Sequence, residues 1–179
     1  MKIRLENARA EPFRWQESIR PTTEGLELEE PVELSPVAVR GTLSWVDPGY
    51  LLRAQLSYSQ TVPCDRCLTP VTEEIEATLE LLVVERRGGG GDGGERQLHE
   101  DDFGVLEVAG EWLETEPIVA EQVQLGLPTH PLCREDCAGL CPVCGRDRNR
   151  EACDCAEQET DPRWAALAAW KQERDGHDA

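Results

Sequence analysis

Residues 51–84 read LLRAQLSYSQTVPCDRCLTPVTEEIEATLELLVV, two alternating runs with a pair of cysteines between them. Leu51 to Val62 alternates apolar with polar side chains, the period of a half-buried strand. Val71 to Val84 alternates again. Val71, Ile75, Ala77, Leu79 and Leu81 share one parity, and Thr72, Glu74, Glu76, Thr78 and Glu80 share the other. Successive side chains of a strand point to opposite faces, so the first set meets a core and the second meets water. Between the two strands stands Cys64-Asp65-Arg66-Cys67, which puts a Cys-x-x-Cys pair at the tip of an antiparallel hairpin.

Working outward, Val37 to Trp45 alternates as a further strand, and Asp47-Pro48-Gly49 is its turn into the hairpin. Gly88 to Gly94 is nearly all glycine and reads as a flexible connection. Val105 to Val108 is a short strand followed by an Ala109-Gly110 turn. Pro117 suits the first turn of a helix, where its missing N–H costs nothing. Val119, Val123 and Leu127 then share a face flanked by Ile118 and Leu125, and Pro128 stops the run. Asp161-Pro162 caps a last helix with Trp164, Leu167, Ala168 and Lys171 along one side. The expected class is α+β: an antiparallel sheet with one central helix, a zinc-stapled Cys-rich loop and a short C-terminal helix. Two regions are expected: residues 1–130 as sheet body with the acidic helix, and residues 131–179 as a Cys-rich zinc module packed on that body.

The other six of the eight cysteines crowd together as Cys133, Cys137, Cys141, Cys144, Cys153 and Cys155. A Cys-x-x-Cys turn offers two thiolates to one Zn²⁺ at about 2.3 Å each. In Cys141-Pro142-Val143-Cys144-Gly145 the glycine permits a tight turn whose N–H groups point at sulfur. Two closed four-thiolate sites need four pairs, and there are four: 64/67, 133/137, 141/144 and 153/155. The first two would join the hairpin tip to the segment leaving the helix, and the last two would wrap a second ion. A rival allocation puts four of the six later cysteines on one ion and leaves Cys64 and Cys67 outside. Two zinc ions are therefore expected, with one as the alternative.

Met1 to Trp15 has no apolar core, so no secretory leader is expected, and no run of about 18 apolar residues spans a membrane. Signal-free and cysteine-rich, the chain is expected in a reducing cytoplasm, where such clusters bind metal sooner than they form disulfides. The net charge is −18, and residues 63–132 hold 4 basic against 16 acidic side chains. An acidic surface repels phosphate and attracts basic partners. The one basic patch visible in sequence is Arg146, Arg148 and Arg150. Catalysis has little support: His99, His130 and His177 have no nucleophile pattern beside them, and Gly88 to Gly94 lacks the Lys-Ser/Thr of a phosphate loop. His130 is a possible substitute metal ligand, with an exposed loop histidine as the plainer reading. Glu100-Asp101-Asp102 reads as solvated surface.

Four motifs together resemble the YceD-like family of large ribosomal RNA subunit accumulation proteins. Cys64-Asp65-Arg66-Cys67-Leu68 is similar to its Cys-x-Arg-Cys-Leu signature, and Glu116 to Pro128, ending Leu125-Gly126-Leu127-Pro128, to its acidic helix. The run Cys137 to Gly145, with Asn149 and Cys153-Asp154-Cys155, resembles its cysteine tail. Asp161-Pro162-Arg163 with Leu167 resembles its closing helix. The likeness covers roughly residues 35–170; the Gly-rich loop departs from the pattern. It implies a non-enzymatic, cytoplasmic role (organellar in plant relatives) in accumulation or processing of 23S ribosomal RNA. The implied partner is the precursor large ribosomal subunit, met through a ribosomal protein or rRNA, with no membrane and no small-molecule substrate. A zinc-containing thiol redox protein or a transcriptional regulator is the alternative.

Overall fold

The computed structural model describes residues 1–20, 32–86, 104–155 and 163. It divides into two compact units, Met1–Cys133 and Arg134–Ala179. The Gly-rich segment 88–94 and the expected helix after Asp161-Pro162 lie outside the described residues, as do His99 and His177.

The first unit is built on the expected hairpin. Strand β5 (Gly49–Pro63) pairs antiparallel with β6 (Pro70–Glu85), in register from Tyr50 opposite Val83 to Pro63 opposite Pro70. The strand pairing ends with two prolines facing each other, and one further bond, Cys64 N–H to Thr69 O at 2.9 Å, follows in the turn beyond them. On the other side of β5 lies β4 (Val37–Val46), and beyond it β2 (Phe13–Ile19), both antiparallel. Strand β3 (Glu33–Leu34) also pairs with β5, just beyond β4. There Ser59 and Ser35 exchange hydrogen bonds: Ser35 N–H to Ser59 O at 3.0 Å and Ser59 N–H to Ser35 Oγ at 2.9 Å.

Alternation decides what is inside. Along β5, Tyr50, Leu52, Ala54, Leu56, Tyr58, Gln60 and Val62 are buried, with Arg53, Gln55 and Ser57 exposed between them. Val37, Val39 and Leu43 of β4, Trp15 and Ile19 of β2, and Leu79 and Val83 of β6 join the same core. Gly41 has no side chain for a reason: a Cβ there would run into the Trp15 ring. Helix α1 (Thr115–Leu125) adds Ile118, Val119 and Val123 to this cluster. A two-stranded sheet of β1 (Lys2–Arg4) and β8 (Trp112–Glu114) adds Ile3 and Leu113.

Two expectations need correction. The six-stranded sheet is mixed, because β7 (Val105–Val108) pairs parallel with β6. The long connection over residues 86–104 permits the crossover that a parallel neighbour requires. Helix α1 ends at Leu125, before Pro128 as expected, but early enough that Leu127 lies beyond the helix face it was expected to share, Gly126 N–H closing the last turn onto Gln122 O at 3.0 Å. Leu125, the last helical residue and expected beside the apolar face, is 72% exposed. Strands β1, β2, β3 and β8 had no sequence expectation at all; β1, β3 and β8 are two or three residues long, too short for a period to show.

Candidate metal centre

The buried parity of β5 continues past its end and delivers Cys64, fully buried, into the hairpin tip. Cys64 N–H donates to Thr69 O at 2.9 Å and Leu68 N–H to Cys64 O at 2.9 Å. The second unit repeats this turn. Cys141 N–H donates to Arg146 O at 2.8 Å, and Gly145 N–H to Cys141 O at 2.8 Å. In both turns the residue after the second cysteine is left-handed: Leu68 has φ 60° and Gly145 φ 73°. The two Cys-x-x-Cys motifs are thus the same knuckle, one with the expected glycine and one with a leucine that is 62% exposed. Sequence reasoning sees Gly145 as a turn signal and has no reason to see Leu68 as one.

The sulfurs of Cys64, Cys67, Cys133 and Cys137 all lie within 4.8 Å of one another, and those of Cys141, Cys144, Cys153 and Cys155 do the same. These groups coincide with the four-pair allocation and differ from the rival one. Cys67 Sγ and Cys133 Sγ are 3.6 Å apart. Tetrahedral zinc with bonds of about 2.3 Å would set its sulfurs about 3.8 Å apart. The donors fit a soft, four-coordinate ion in number, type and spacing.

Their electrostatics point the same way. Burial opposes ionisation of Cys64, but backbone N–H groups of Cys133, Arg66 and Cys67 aimed at its sulfur outweigh this and bring the thiol down to about 6. In the second cluster, the N–H groups of Cys144 and Val143 bring Cys141 down to about 6 as well. Cys155 moves the other way, to about 12, chiefly through its hydrogen bond with Cys144, and Cys153 is raised through Cys141. Adjacent thiolates resist being charged together unless a cation neutralises them.

Around the sulfurs stands a polar shell. Asp65 N–H donates to Pro131 O at 2.9 Å, beside Cys133. His130 is exposed, its Nδ1 3.0 Å from Asp65 Oδ2, and lies outside both sulfur clusters. In the second unit Asn149 ties its own loop to residues 134–138. Its Oδ1 accepts from Ala138 N–H at 2.8 Å and from Arg134 Nη2 at 2.7 Å. Its Nδ2 donates to Asp147 Oδ1 at 2.7 Å and faces Cys137 Sγ at 3.4 Å. Arg146, Arg148 and Arg150 are all exposed, and Arg150 pairs with Asp147 at 3.4 Å.

The sheet also assembles a basic surface that the linear sequence conceals. Arg14, Arg40 and Arg53 come from three different strands and stand together on the outward face. On the same face Glu80 accepts from Arg53 Nε at 2.6 Å, so one of the three outward glutamates of β6 is already paired. The arginine loop of the second unit is therefore not the one basic patch. Among the described residues, no helix is long and apolar enough to cross a membrane.

Comparison with known proteins places this geometry. The sequence model for "Large ribosomal RNA subunit accumulation protein YceD" matches residues 52–171, a span that contains both clusters. Uncharacterized proteins of Mycobacterium tuberculosis and Mycobacterium bovis are each 34% identical over 122 residues, which is 68% of this chain and 56% of the relative. An uncharacterized protein of Mycobacterium leprae is 27% identical over 143 residues, 80% of this chain and 63% of its own. The chain thus spans less than two thirds of the length of these curated relatives. No solved structure matches it. A hairpin ending in a cysteine knuckle, a second knuckle of the same design and a family match spanning both lead to one conclusion: this chain belongs to the YceD family.

Proposed function

We propose that the chain is a non-enzymatic cytoplasmic factor that supports accumulation and processing of large-subunit (23S) ribosomal RNA through association with the precursor large subunit. The family match over residues 52–171 carries this reading. The donor chemistry supports its non-enzymatic part. Four thiolates complete a tetrahedral shell, and such closed sites hold structure together, whereas catalytic zinc keeps a position open. Cys64, Cys67, Cys133 and Cys137 would hold one zinc ion, and Cys141, Cys144, Cys153 and Cys155 a second. Bound there, zinc supplies cross-links between segments too polar and too short to build a core of their own.

Depletion of the protein in its own host tests the reading. The expected result is a loss of mature 23S RNA relative to 16S, with the tagged chain sedimenting with precursor large subunits. Unchanged RNA ratios together with sedimentation away from all ribosomal particles would overturn it. The thiol redox alternative makes a different forecast, reversible disulfide formation with loss of metal under mild oxidant.

A further inference from the structure

We propose that the outward face of the sheet binds the sugar-phosphate backbone of single-stranded RNA in a groove running across β2, β4, β5 and β6. This names the chemistry that the chain meets on its partner, and to that extent it rests on the assembly reading above. Register builds the groove. Arg14 lies opposite Thr42, Thr42 opposite Arg53, and Arg53 opposite Glu80, forming one row across four strands. Two residues along, Gln16, Arg40, Gln55 and Thr78 form a second row. Between them the row through Gly41 and Ala54 points its side chains into the core, so backbone forms the floor. The resulting hollow has a volume of 690 Å³.

The two walls are two residues apart on each strand, roughly 7 Å, close enough for side chains of both to reach one nucleic-acid backbone laid across the strands. Arg14 and Arg53 stand two strands apart, roughly 10 Å, with Arg40 between them in the other wall. Arg14 and Arg40 can each take a different phosphate, and a guanidinium fork matches two phosphate oxygens at once. Arg14 and Arg40 have no ion pair or hydrogen bond among the described residues, so both are available. Glu80 is the one acid in the walls, and Arg53 already holds it. Gln16, Gln55, Thr42 and Thr78 supply the neutral hydrogen-bonding groups that accompany backbone contacts.

An acidic protein segment would meet the same charge. One feature favours RNA. The walls carry no exposed large apolar side chain to anchor a protein partner, whereas such anchors dominate protein interfaces. The groove also lacks an exposed aromatic ring, since the Trp15 ring packs over Gly41 in the core. Recognition should then be of backbone and not of base, tolerant of sequence and steep in salt. The chain's −18 net charge opposes approach from afar, but at physiological salt that repulsion fades beyond about 8 Å.

The test is fluorescence anisotropy of labelled oligouridine with the full metal-loaded chain, as salt is varied. The variant Arg14→Gln/Arg40→Gln/Arg53→Gln should lose about tenfold or more in affinity. Its log–log salt slope should flatten by about 1.4, the share of the two unpaired arginines. Arg146→Gln/Arg148→Gln/Arg150→Gln should bind as the unsubstituted chain does. Should the groove triple unfold, Arg14→Gln/Arg40→Gln touches no partnered residue and should still lose most of the binding. Binding that survives the groove changes, or is removed by the loop changes alone, overturns the proposal. So does a polyglutamate peptide that binds the groove as tightly as oligouridine. Cosedimentation with precursor large subunits is read in parallel. A chain that cosediments yet ignores oligouridine sinks the groove and leaves the assembly reading. One that binds oligouridine through the groove but never cosediments does the reverse.

Discussion

Cys67 Sγ lies 3.6 Å from Cys133 Sγ, although 66 residues separate them along the chain. One belongs to the turn between β5 and β6, the other to the segment that follows α1. The Asp65 N–H bond to Pro131 O at 2.9 Å holds the two backbones side by side at this point. Thiolates so close repel one another, and a shared cation turns that repulsion into a cross-link.

Cys67→Ser should therefore remove one metal ion and spare the other. Elemental analysis of the unsubstituted chain should give close to two zinc ions, one for each cluster. The variant should give close to one, and hydrogen exchange should rise at residues 129–133. A site of this kind contributes on the order of 10 kcal/mol in total, so the loss of one ligand is plainly measurable. Unchanged zinc content in the variant would refute the role of Cys67 as a ligand.

Asn149 offers a sharper probe of the second unit, because its amide both accepts and donates. Asn149→Asp keeps the acceptor for Ala138 N–H but sets a carboxylate against Asp147 and the Cys137 sulfur. Changes in the shell around metal ligands commonly cost about 10–100-fold in metal affinity. Asn149→Asp should show such a loss in a competitive chelator titration, and a larger one than Asn149→Ala. Equal effects of the two would show that charge at this position is irrelevant.

The paired knuckles predict opposite responses to glycine chemistry. Gly145→Ala forces a Cβ into φ 73° and should destabilise the second knuckle by about 1 kcal/mol. Leu68→Gly relieves the same conformation at φ 60°, and since Leu68 is largely exposed it loses little packing. A small gain, at most about 1 kcal/mol, should appear in denaturant melts of the zinc-loaded chain. A clear loss on Leu68→Gly would mean that the leucine side chain has contacts that matter more than its backbone.

Gly41 tests the sheet. Gly41→Ala puts a methyl group into the Trp15 ring and should destabilise the first unit by about 1–3 kcal/mol. Trp15 donates from Nε1 to Glu17 Oε1 at 3.0 Å, so displacing the ring also strains that bond. Trp15→Leu should rescue part of the loss when combined with Gly41→Ala. An additive double variant would show that the two residues do not meet.

Whatever depends on neighbours along the chain is legible in the residues alone. Alternation placed β4, β5 and β6, the Asp47-Pro48-Gly49 turn joined the first two, and the cysteine spacing marked both knuckles, because strand period and tight turns are local properties. The tertiary structure alone decided what depends on pairing between distant segments. The parallel docking of β7 followed from a crossover that leaves no mark in the period of the strand itself. The brief strands β1 and β8 exist because each supplies the other's hydrogen bonds, and neither carries enough residues to show a pattern. Arg14, Arg40 and Arg53 read as three isolated charges until register sets them on adjoining strands. Register is a relation between strands, and it is fixed by burying one whole face at once; no single strand encodes it.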